Sequence, residues 1–180
     1  ARLYVTNNAT FTYGTSALWT FRNLIIDNGA TMEMQTRFTV LSSGNFEIYD
    51  GGNFVFNHDS NAGASSSLAS SLWNGTEVFH PNSNFYIRNH DTGSGNYLFP
   101  ADANFTSNTY NGVKAYFGNL IINSSGNEVR LTTTNLSAGS TNLYLTHKNL
   151  EFAPTSSYNL FYGGATWNIG GCLLYTSDAA

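Results

Sequence analysis

The chain has 180 residues, of which only 10% are charged against an ordinary share of about 25%. Aromatics supply 15% and Asn, Ser and Thr together 63 residues, so apolar material for a core coexists with a polar, mostly uncharged remainder. A net charge of −4 with no basic cluster excludes a phosphate-binding surface and hence nucleic acid as a partner. No apolar run is long enough to span a membrane as a helix, and low charge with many aromatics excludes a disordered chain.

The predicted elements are all strands. Ala1-Arg2-Leu3-Tyr4-Val5 reads as the middle of one. Phe21–Ile26, Arg37–Leu41, Asn45–Tyr49 and Asn53–Phe56 follow, each alternating apolar and polar residues with the two-residue period of a half-buried strand. Asp27-Asn28-Gly29, Ser42-Ser43-Gly44 and Asp50-Gly51-Gly52 read as the turns between them. An insertion loop occupies residues near 60–75, where the Ser/Ala run Ser65–Leu72 is the one helix candidate. Asn84–Arg88, Asn119–Ile122 and Asn142–Leu145 complete the strands, with turns at Ser124-Ser125-Gly126 and Ala138-Gly139.

Internal similarity points to stacking. Phe21-Arg22-Asn23-Leu24-Ile25-Ile26-Asp27 returns as Phe117-Gly118-Asn119-Leu120-Ile121-Ile122-Asn123. The strands that begin at Asn45, Asn53 and Asn84 share one shape: Asn, Phe, alternation, then a turn carrying Asp. Identical side chains in register let amides bond along a stack, as in repeated-strand ladders. Asn45, Asn53, Asn84 and Asn119 are therefore expected to be structural. So are Gly170 and Gly171, in a turn expected to need positive φ. The fold class is all-β: a β-solenoid, similar to a right-handed parallel β-helix, over residues 1–171. A β-sandwich or jelly roll built from hairpins is the alternative.

The segment Asn74-Gly75-Thr76-Glu77-Val78-Phe79-His80, the strand Tyr116–Ile122 and the Ala165-Thr166-Trp167-Asn168-Ile169-Gly170-Gly171 turn resemble, in that order, secreted Bacteroidetes-type β-solenoid repeat proteins. The resemblance covers most of residues 18–171. It implies an adhesin-like, extracellular or cell-surface protein, with flanking repeats of the same chain and glycans or other surface molecules as partners. On this reading the chain is a metagenomic fragment, incomplete at both ends. Residues 172–180 resemble a translated sequencing-adapter tail, which would make Cys172 non-native.

Chemistry-bearing residues are sparse. Asn57-His58-Asp59 and Asn89-His90-Asp91 repeat a His-Asp pair, but neighbours in a strand face opposite ways, and the pairs read as turn-closing groups. His80 and His147 have no evident partner. The carboxylates Glu33, Glu47, Asp50, Asp59, Glu77, Asp91, Asp102, Glu128 and Glu151 stand singly, whereas glycoside hydrolysis needs a pair. No metal, no cofactor and no catalytic residue is expected. The expected function is a structural and adhesive segment without catalysis. One alternative is a carbohydrate-binding module stacking sugars on exposed aromatics, with Trp73 and Tyr110 as candidates. A second is a polysaccharide-degrading parallel β-helix.

Overall fold

A computed structural model describes residues 2–11, 19–35, 38–57, 76–88, 109–110, 113–114, 117–123, 128–130, 143–146, 148–152, 159–161 and 167–175. Among them every regular element is a strand. In chain order these are β1 (Arg2–Val5), β2 (Ala9–Phe11), β3 (Trp19–Ile26), β4 (Thr31–Met34), β5 (Phe38–Ile48), β6 (Asn53–Asn57), β7 (Thr76–Phe79), β8 (Asn84–Arg88) and β9 (Thr109–Tyr110). They continue as β10 (Val113–Lys114), β11 (Asn119–Asn123), β12 (Glu128–Arg130), β13 (Leu143–Thr146), β14 (Leu150–Phe152), β15 (Asn159–Phe161), β16 (Trp167–Ile169) and β17 (Leu173–Tyr175).

The first sheet has the order β1-β3-β5-β7 and the second β17-β14-β11-β8-β6-β4-β2, and every pair in both is parallel. A hairpin sandwich does not produce this pattern, because hairpins pair consecutive strands antiparallel. Among the described residues only β9 and β10 pair that way. Instead the chain passes from a strand of the first sheet through a turn to a strand of the second. Its next pass lays the same two strands beside their predecessors. A parallel bridge from Phe117 to Thr146 and the pairing of β13 with β16 repeat the first-sheet arrangement further along the chain.

Three successive turns are closed alike. The Ala30 N–H donates to Asp27 O at 3.0 Å, Gly52 N–H to Tyr49 O at 2.9 Å, and Ser83 N–H to His80 O at 2.9 Å. Gly29 and Gly51 hold the third turn position at φ 73° and 76°, which only glycine adopts without strain. In the third turn Pro81 takes the second position, where its fixed φ fits. The turns also bond to one another, Gly29 N–H to Gly51 O and Gly51 N–H to Asn82 O.

Alternation along the strands puts one face of each sheet inward. Leu24, Ile26, Phe46, Ile48 and Phe79 from the first sheet meet Met32, Met34, Phe54, Phe56, Phe85 and Ile87 from the second, all buried. Phe46–Phe54 and Phe46–Phe79 lie 5.1 and 5.0 Å apart between centroids, edge to face, the geometry that ring quadrupoles favour. Phe85 and Phe117 continue the column at 5.1 Å. One inward position departs from the pattern: Glu77, in register with Phe46, is buried.

The expected amide ladder is present with a changed membership. Asn84 Nδ2 donates to Asn53 Oδ1 at 2.9 Å, and Asn119 Nδ2 donates to Asn84 Oδ1 at 3.0 Å. Asn53 Nδ2 extends it to Thr31 Oγ1, and Asn119 Oδ1 accepts the Asn149 N–H at 3.2 Å. Asn149 Oδ1 in turn accepts the Cys172 N–H at 3.0 Å. Asn45 is not a member. It is exposed on the first sheet, in register with Asn23 and Thr76. Replacing Asn84 with Ala is expected to cost about 1–3 kcal/mol, because it removes the donor to the Asn53 oxygen and leaves the Asn119 amide only its longer bond to Ser83 O. Asn45→Ala is expected to leave the melting temperature unchanged, and thermal melts of the two variants check both statements.

Three further expectations are corrected. Ser42-Ser43-Gly44 is not a turn. Phe38–Ile48 is one strand, and Leu41–Gly44 bulges opposite the single residue Arg22, with Phe21 paired to Val40 and Asn23 to Asn45. The two similar segments Phe21–Asp27 and Phe117–Asn123 are not equivalent, since β3 lies in the first sheet and β11 in the second. Gly170 and Gly171 do not have positive φ. Gly171 is required by close approach: its N–H donates to Lys148 O at 2.8 Å, and a Cβ there would lie 2.9 Å from that oxygen. The Ser65–Leu72 run and the turns at Ser124–Gly126 and Ala138–Gly139 lie outside the described residues. Leu173–Tyr175, within the proposed tail, pairs in parallel with β14.

Candidate functional site

The outer face of the first sheet gathers polar and aromatic side chains that are far apart in sequence. Register places Tyr4, Ile25, Glu47 and Val78 in one row across β1, β3, β5 and β7. One residue beyond each strand, Asp27 N–H donates to Val5 O, Tyr49 N–H to Ile26 O and His80 N–H to Ile48 O. This keeps Asp27, Tyr49 and His80 in a second row beside the first. Tyr4 is 61% exposed and Tyr49 37%, so both rings present surface to solvent.

Within this patch Glu47 Oε1 lies 3.0 Å from His80 Nε2, and the His80 ring packs on Tyr49 with centroids 4.8 Å apart. His80 therefore has partners that its sequence position did not show. Glu47 raises the Tyr49 hydroxyl above its ordinary value of 10.0, with desolvation and Asp27 adding to the effect. The shift records a negative local field. Tyr4, Val5, Thr6, Ile25, Asp27 and Tyr49 line an open groove of about 270 Å³ on this face. Asp27 Oδ1 also accepts the Asn28 N–H at 2.8 Å, which fixes the carboxylate at the turn.

The outer face of the second sheet carries a second polar group. Glu33 Oε1 accepts bonds from Gln35 Nε2 at 2.7 Å and Asn57 Nδ2 at 2.6 Å. These bonds, with a smaller contribution from the charge of Arg88, hold the Glu33 carboxyl below its ordinary 4.5. Arg88 lies over the Tyr86 ring, 5.5 Å from its centroid. A depressed carboxyl contributes stability above its unfolded value, and that contribution is lost as pH falls through the folded value. Melting temperature is therefore expected to fall more steeply on acidification below about 4.5 in the parent chain than in Glu33→Gln. Melts across that range check it.

The two aromatics singled out from the sequence fall outside what the structure describes. Trp73 lies outside the described residues. Tyr110 belongs to β9, in register with Val113, and its side chain also lies outside them. The His58-Asp59 and His90-Asp91 pairs and His147 are likewise outside. Among the described residues no group of three or more His, Cys, Asp or Glu could hold a metal ion, and no helix is long and apolar enough to cross a membrane. The patch on the first sheet was missed because its members come from separate passes of the chain. Glu47 and His80 are 33 residues apart and meet only because β5 and β7 pair in register. No family model, curated protein or solved structure matches this chain.

Proposed function

We propose that the chain is a β-solenoid that serves as a structural and adhesive segment of a larger secreted or cell-surface bacterial protein. The observation that carries this reading is the second sheet. Seven strands follow one another in parallel register, with a side-chain ladder from Thr31 through Asn119 that continues to the backbone of Asn149. In such a stack each tier covers the apolar edge of the last, so stiffness and length come from the same bonds. Its flanks then repeat a neutral, hydroxyl- and amide-rich surface suited to an extracellular stalk. Flanking repeats of the same chain are the expected neighbours at both ends, where open strand edges otherwise invite association.

Recovery of the complete coding sequence, with fractionation of the source cells, tests the proposal. The expected result is an export signal, further strand–turn–strand units and antigen at the cell surface or in the medium. A reading frame confined to this segment, with antigen in the cytoplasm, would overturn it.

A further inference from the structure

We propose that the groove between Tyr4 and Tyr49 binds a small organic ammonium ion, held between the tyrosine faces and the Asp27 carboxylate. The site goes beyond the structural role and stands on the register of three strands alone. Tyr4 in β1 and Tyr49 after β5 stand on backbones two strand spacings apart, about 10 Å, and one row apart along the strands. Ile25 of the intervening strand and Asp27 just beyond it line the groove between them. Its volume of about 270 Å³ has room for one small organic cation.

Charge decides the ligand class. The faces of two exposed tyrosines are electron-rich and attract a cation placed over them. Asp27 lines the groove, and no Lys or Arg does. Glu47, although bonded to His80, adds to the same negative field, and the whole chain carries −4. An anionic ligand is repelled. A neutral sugar could stack on the rings but gains nothing from the charge of Asp27. An ammonium group uses both the rings and the carboxylate, and the apolar Ile25 accommodates its carbon substituents.

The test is a titration of the intact chain, followed by nuclear magnetic resonance at matched ionic strength, with choline, glucosamine and glucose as probes. Expected are saturable shifts at Tyr4, Asp27 and Tyr49 with choline, and none with glucose. Glucosamine acting like choline assigns the group to an amino sugar as well. Choline acting alone assigns it to a quaternary ammonium headgroup. Tyr4→Ala and Asp27→Asn are each expected to weaken binding about fivefold. Both should keep the parent melting temperature, because Tyr4 is exposed and the amide oxygen introduced by Asp27→Asn can still accept the Asn28 N–H. Glucose binding as tightly as the cations, no saturable response to either cation, or unchanged affinity in Asp27→Asn overturns the proposal.

Discussion

Gly118→Ala is expected to destabilise the chain by about 3 kcal/mol or more, and Gly118→Val to prevent folding. Gly118 is buried directly against the preceding turn, and its own carbonyl accepts the Lys148 N–H at 3.0 Å. A Cβ at this position would lie 2.6 Å from Ser83 O and 2.9 Å from Pro81 O, with His80 O closer still. All three obstacles are backbone atoms. Two of them already accept bonds: Ser83 O from the Asn119 N–H, and His80 O from Ser83 N–H and Oγ. Nothing can move aside without breaking the turn that seats the next strand. A chain of this size loses about 2–4 °C of melting temperature per kcal/mol, so Gly118→Ala should melt on the order of 10 °C lower. A melt within 2 °C of the parent (about 1 kcal/mol or less by the same scale) would show that the turn is not packed against this strand.

Phe54→Ala carries the second large expected effect. Phe54 is fully buried, and its ring lies 5.5 Å from Phe38, 5.1 Å from Phe46 and 5.0 Å from Phe85. These partners come from both sheets, so no single rearrangement fills the space that truncation leaves. The expected cost is about 3–5 kcal/mol, from lost transfer energy and the residual cavity. Denaturant unfolding of Phe54→Ala beside Tyr86→Ala, on the outer side of the neighbouring strand, measures it. Equal losses in the two variants would mean that the assignment of inner and outer faces is wrong.

Strand content was legible because alternation is a local signal, and Asn53–Phe56, Asn84–Arg88 and Asn119–Ile122 all lie in strands as expected. Which sheet each strand joins was not legible. Asn45-Phe46-Glu47-Ile48 and Asn53-Phe54-Val55-Phe56 share a pattern because both present one apolar face to the same core, from opposite sides. The pattern states the face and is silent on the side. Register was hidden for a related reason. Neighbouring members of the ladder are 22, 31, 35 and 30 residues apart. These spacings differ from pass to pass, and one pass carries extra residues as a bulge inside β5, so no fixed period marks the stack.

Local turn chemistry misled where pairing was stronger. Ser42-Ser43-Gly44 has turn residues, yet the segments of β5 on either side both pair with β3, and the extra residues become a bulge. Asp27-Asn28-Gly29 and Asp50-Gly51-Gly52 were read correctly because there the positive φ of Gly29 and Gly51 is a requirement of the turn itself. The groove residues had no local signature at all. Tyr4, Asp27 and Tyr49 are ordinary members of three separate segments until register aligns them.

The parallel register between passes is the central claim, and a disulfide between neighbouring tiers tests it most directly. Tyr86 and Ile121 are paired across β8 and β11 and point to the same outer face, whereas Leu120 points inward. In a Cys172→Ser background, Tyr86→Cys with Ile121→Cys should oxidise to a bridged chain that melts no lower than its reduced form. Their Cα atoms, one strand spacing apart at about 4.8 Å, fall within disulfide reach. Tyr86→Cys with Leu120→Cys should stay reduced, because their Cβ vectors point to opposite faces. Efficient bridging of the 86/120 pair with failure of the 86/121 pair would contradict the second-sheet register on which the ladder and the core depend.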